Sequence, residues 1–86
     1  MPEISRFFGI IVAMYYDDHN PPHFHARYGD ENVIVSIDAL AILEGQMAPR
    51  ALGLVIEWAS QHKKELMEDW ELARINQVPK KIMPLK

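Results

Sequence analysis

The chain contains no cysteine, so disulfides and thiolate metal sites are excluded and the fold must rest on its core or on self-association. No apolar run approaches the roughly 18 residues that a membrane-spanning helix needs. Positive charge is scarce too: the formal net charge is −3, without the broad positive field that draws a whole protein surface onto phosphate backbones. Nucleic acid is therefore disfavoured as a stoichiometric partner. A local basic cleft from Arg6, Arg27 and Arg50 stays open, and with it an RNA substrate. The start, MPEISRFF, has an acidic residue where a secretory leader has basic ones, and no small-residue cleavage site follows its apolar stretch. These features predict a cytoplasmic protein with no membrane partner. With 86 residues, 49% of them hydrophobic and 24% charged, the chain has the size and composition of one ordinary globular domain, 1–86.

What is present divides into two halves. Residues 6–16, RFFGIIVAMYY, are rich in aromatic and β-branched types and read as one strand. Both alternation faces of that strand are apolar, the pattern of a strand covered on two sides, which points to the C-terminal tail or a second copy of the chain as the second cover. The segment HNPP then interrupts the ladder, because Pro21 and Pro22 lack amide donors; a cis bond is compatible with such a turn. A second strand follows from His23 to Tyr28, a third over 33–37 and a short fourth ending at Gly45. Beyond Pro49, suited to a first helical position, Leu52, Val55, Ile56, Ala59, Leu66, Trp70 and Ala73 recur at helical spacing. A continuous helix to Ile75 would run ~40 Å, too long for so small a domain, so a bend or break near 60–62 is expected, with Ser60 as a second N-cap. The prediction is an α+β fold: a four-stranded antiparallel β-meander (about 6–45) packed by a C-terminal helical segment (about 49–75). On the helix, Glu65, Glu68 and Asp69 form an acidic stripe expected to face solvent, with Lys64 and Glu68 paired across one turn. Trp58 and Trp70 lie at different angles around an ideal helix, so one is expected in the core and the other outside it.

Residues 17–28, DDHNPPHFHARY, concentrate three of the four histidines. Side chains two apart on a strand share a face, so His23, His25 and Arg27 project together while Phe24 and Tyr28 face away. Read as metal ligands, His23 and His25 are close enough to share a divalent ion, His19 or Asp17 can reach back across the turn, and His62 or Glu44 can close the shell. Read as a metal-free centre, the same face supplies an acid, a base and a phosphate clamp from His23, His25 and Arg27. Asp17, Asp18 and His19 are the candidate binding residues of the turn. The plain reading is a solvated face of an edge strand.

The run from Met1 to Asp30, with ILEG, RALGLVIEWASQHKKELMEDW and the terminal PLK, resembles the bacterial family called domain of unknown function 4160, most specifically in DHNPPHFHA at 18–26. Members of that family are often encoded beside a small protein of the unknown-function 2442 family, and some such pairs are regarded as type II toxin and antitoxin. The resemblance implies a bacterial cytoplasmic protein that acts as the toxin of such a pair, with a small antitoxin-like partner. It assigns no catalytic residue. The other reading is a non-enzymatic module that binds metal or another protein.

Overall fold

The computed structural model describes residues 2–86. It is an α+β domain: five strands, β1 (Glu3–Phe7), β2 (Ile10–Ala13), β3 (His23–Tyr28), β4 (Glu31–Ser36) and β5 (Ile42–Gly45), then two helices, α1 (Pro49–Gln61) and α2 (Lys63–Arg74). The strands form one antiparallel sheet in chain order. The expected meander is there, with one strand more than predicted.

The extra strand arises because the run 6–16 is not one strand: it holds the end of β1, a turn and all of β2. Phe7 pairs with Ile10, leaving Phe8 and Gly9 as a two-residue loop with φ of 50° and 80°. Two successive positive-φ residues give a turn whose twist matches that of the flanking strands. The turn reverses the chain after Phe7, so of this run only Ile10–Ala13 form one strand, with Ile10 and Val12 in the core and Ile11 and Ala13 on the opposite face. An irregularity between Glu3 and Ser5 also lets Ile4 and Ser5 both be buried, as a bulge does.

One sheet face carries the core. Phe7, Ile10, Val12, Phe24, Ala26, Val33 and Val35 pack with Val55, Trp58, Leu66 and Trp70 of the helices. Trp58 lies at its centre, 5.4 Å from the Phe7 ring and 6.0 Å from that of Phe24. Both tryptophans are buried, which corrects the expectation that one would be exposed. The buried positions of α1 (Ala51, Val55, Trp58, Ala59) and α2 (Leu66, Asp69, Trp70, Ala73) form one stripe that continues across the break. The molecule spans 33 Å in its longest dimension, shorter than a straight helix of the combined length would be, so the stripe stays on the sheet only because the rod is broken.

The break falls at His62. This residue ends α1 through its N–H to the Ala59 carbonyl and opens α2 through its carbonyl, which accepts from Leu66 N–H. Ser60 does not cap α2: its hydroxyl donates to the Glu57 carbonyl one turn back. Among the described residues Lys64 and Glu68 form no ion pair; the helix pairs are His62 with Glu65 and Arg74 with Glu71.

The C-terminal tail covers the β1 side of the sheet. Ile82 N–H donates to the Ile4 carbonyl, Ser5 Oγ to the Ile82 carbonyl and Trp58 Nε1 to the Met83 carbonyl. At the opposite edge Gly45 has φ of 85°, and a Cβ there would run into the Asn32 carbonyl, so only glycine lets β5 close on β4. No helix is long and apolar enough to cross a membrane among the described residues.

Asp69 departs from the expected acidic stripe. It is 2% exposed; Oδ1 accepts from Lys80 N–H at 2.8 Å, while Oδ2 has no partner. Burial pushes its carboxyl up from the ordinary range, the Lys80 N–H opposes this, and the Glu65 and Glu68 charges add to the rise. In the window between the ordinary aspartate value and the raised one, the folded chain therefore holds a proton that the unfolded chain has released. Stability falls as pH rises through that window and is constant above it. Asp69→Asn keeps an acceptor for Lys80, and its urea midpoint should lose the part of the pH dependence seen in the parent. An unchanged slope would show that Asp69 is ionised in both states.

Candidate functional site

The side of the sheet away from the helices is open, and the ladder register decides what stands on it. Ala13, His25, Ile34 and Glu44 are aligned across β2 to β5, and Ile11, Arg27 and Asn32 form the next row. Between them lies a groove of about 390 Å³ that Tyr15 also lines. Its floor is apolar, from Ile11, Ala13 and Ile34. Its polar groups are His25, Arg27, Asn32 and Glu44.

At the His25 end of the groove the turn of residues 17–22 folds back on β3. The Asn20–Pro21 bond is cis. Asp17 has φ of 52° and donates its N–H to the Ala73 carbonyl, which ties the turn to the end of α2. Asp18 accepts the His19 N–H at Oδ1 and turns Oδ2 toward both imidazoles, 2.9 Å from His23 Nε2 and 3.4 Å from His25 Nε2. One ligand atom from each of Asp18, His23 and His25 lies within 4.8 Å of the others.

His23 is fixed from every side. It is 7% exposed, and its ring lies 5.1 Å from that of Trp70 and 5.2 Å from that of His25. Its Nδ1 is 2.7 Å from the Pro21 carbonyl, an acceptor, so Nδ1 carries a hydrogen. In a neutral ring Nε2 is then a bare lone pair aimed at a carboxylate oxygen. Two acceptors 2.9 Å apart repel unless positive charge lies between them: a proton on Nε2, or a cation bound by both. A backbone carbonyl on Nδ1 with Nε2 left as the donor lone pair is also how a second contact orients a metal-binding histidine.

The two separations from Asp18 are compatible with a shared cation as well as with hydrogen bonds. Two ligands each ~2.1 Å from an ion and 90–110° apart are separated by roughly 3.0–3.4 Å, and the Asp18–His23 and Asp18–His25 separations are 2.9 and 3.4 Å. Protonation states agree with the donor set. For Asp18, burial pushes the carboxyl up, but the His19 N–H and the hydrogen bonds of His25 and His23 outweigh it and hold the group below the ordinary carboxylate range. For His25, burial pushes the imidazole down and favours the neutral form, against the pull of Asp18; the His23 charge adds to the fall and Glu44 opposes it. The Tyr15 ring stands edge-on to His25 at 4.2 Å.

Of the residues singled out from the sequence, His23 and His25 meet, and Arg27 shares the groove with His25. His19 is exposed and lies outside the cluster, as does Asp17; Asp18 supplies the carboxylate. His62 pairs with Glu65 2.5 Å away and lies tilted against the Trp58 ring at 5.5 Å, so it does not reach the His23–His25 face. Glu44 stands in the His25 row. Tyr15 lines the groove because it follows the end of β2, a place that a single strand over 6–16 conceals.

Fold and site together define a small α+β domain with a two-histidine, one-carboxylate cluster at the end of an open-face groove. The family model described as domain of unknown function (DUF4160) matches residues 9–71, most of the chain, and the protein belongs to that family. The match includes the whole cluster and groove. No curated protein and no solved structure matches the chain.

Proposed function

We propose that this protein is a divalent-metal-binding domain whose ion is held by Asp18, His23 and His25 and presented to the groove. The observation that carries the reading is the His23 Nε2–Asp18 Oδ2 contact at 2.9 Å with Nδ1 already committed to the Pro21 carbonyl. Mixed nitrogen and oxygen donors suit zinc, or iron, nickel or manganese in a more octahedral shell. Three protein ligands leave at least one position for water or a ligand, as in catalytic rather than structural sites; an ion so held supplies Lewis acidity or an acidified water. Within this reading His25 is a ligand, Arg27 an anion-binding group beside it, and His23 too enclosed to serve as a free acid or base.

Elemental analysis of tag-free protein and calorimetric titration with zinc test the assignment. One ion per chain is expected, with affinity reduced at least about 100-fold by Asp18→Ala or His25→Ala and unaffected by His19→Ala. Equal affinity in all three variants, or dependence on His19, would contradict it.

A second reading concerns the cellular role: a cytoplasmic toxin held in check by a small antitoxin-like partner. Besides the family resemblance, one observation favours a partner. The tail occupies the β1 side, whereas β5 ends the sheet with Ile42 and Leu43 exposed, an edge of the kind that a partner strand extends. Expression of the chain alone should arrest bacterial growth, and His25→Ala, folded as judged by circular dichroism, should relieve the arrest. Normal growth at high expression would count against this role.

A further inference from the structure

We propose that the groove beside the cluster binds a nucleoside phosphate, with the phosphate between the Asp18–His23–His25 centre and Arg27 and the planar base on the apolar floor. The inference rests on the metal-binding reading and names the ligand class of the same site.

Charge points to an anion at one end of the groove. Arg6 and Arg74 are paired with Glu3 and Glu71, whereas Arg27 has no carboxylate partner among the described residues. It lines the groove two residues along β3 from His25, so its Cα lies roughly 6–7 Å away on the same face. A phosphate can therefore accept from the guanidinium on one side while another of its oxygens meets the centre. The guanidinium offers paired N–H donors, the geometry that holds phosphate best.

The remaining lining describes the rest of the ligand. Ile11, Ala13 and Ile34 form a floor with no polar side chain, and the groove, about 390 Å³, lies in the size range of small-molecule sites. A flat, weakly polar ring matches that floor and the adjoining Tyr15. Glu44 stands across the floor in the His25 row. Its carboxylate opposes a ligand that is anionic throughout, such as a polyphosphate, and suits one that offers hydroxyl or amino donors. Asn32, opposite Arg27 on β4, can both donate and accept. One anionic end, a planar apolar body and outward donors together describe a nucleotide. The negative overall charge, −3, fits engagement of one nucleotide at a time rather than a long backbone.

Calorimetry on the zinc-loaded full chain tests this with adenosine monophosphate, adenosine, inorganic phosphate and a short single-stranded oligoribonucleotide. Adenosine monophosphate should bind at least about 10-fold tighter than either adenosine or phosphate. Arg27→Met, in which no zinc ligand is altered, should take up zinc as the parent does and lose about 10- to 100-fold in nucleotide affinity, the range for a charge-assisted contact. The oligoribonucleotide separates the sources: tighter binding than the mononucleotide assigns the site to RNA, weaker binding to the free nucleotide, and either supports the ligand class. Normal zinc uptake with no preference for the nucleotide, or with an unchanged affinity in Arg27→Met, overturns this inference and leaves the metal reading standing. A chain that takes up no zinc overturns both.

Discussion

The site depends on how one buried imidazole is satisfied. His23 starts β3, lies against Trp70 and commits Nδ1 to the Pro21 carbonyl. Its other nitrogen faces Asp18, and two lone pairs at that distance are tolerated only with positive charge between them. A proton on the ring meets the requirement at the cost of a charged imidazole in an enclosed position. A divalent ion meets it while drawing in His25 as well, and leaves the rings neutral. Burial already favours the neutral form at His25. The residues that enforce the constraint are spread along the chain: Pro21 and Asp18 in the turn, His23 and His25 on β3, Trp70 on α2.

The scaffold explains why those groups keep their places. The sheet is covered on one face by α1 and α2 and on one edge by the tail, which frees the other face to carry a functional surface. Because the ladder is antiparallel and in regular register from β2 to β4, the rows across the groove are set by backbone pairing rather than by loops, the better support for a site that needs fixed distances. The turn that brings Asp18 in is less regular. It is held by the Asp17 N–H to the end of α2 and by the pairing of Ile37 N–H with the Pro22 carbonyl, so helix, turn and sheet meet at the cluster.

Much of this was legible in the residues. Period-two alternation placed His23, His25 and Arg27 on one face, and the length of the helical pattern against the size of the domain required a bend or break near residues 60–62, which the structure puts at His62. The missed features had separate causes. Gly9, alone inside an apolar run, was the available sign of the Phe8–Gly9 turn, but β-branched and aromatic neighbours on both sides read equally well as one strand. Asp69 lies three and seven residues beyond Leu66 and His62, so the same heptad spacing that marked Leu66 and Trp70 pointed it inward; its charge argued for solvent, and only the Lys80 N–H from the returning tail makes its burial tolerable. Asp18 rather than His19 faces the imidazoles because the turn reverses between them and β3, and residue spacing alone does not settle which of two neighbours points inward.

X-ray absorption spectroscopy of the zinc-loaded protein tests the central claim most directly, since it counts the donor atoms on the ion. The account predicts two imidazoles and carboxylate or water oxygens at about 2.0–2.2 Å, falling to one imidazole in His25→Ala. A shell with no imidazole, or one unchanged in His25→Ala, would contradict it.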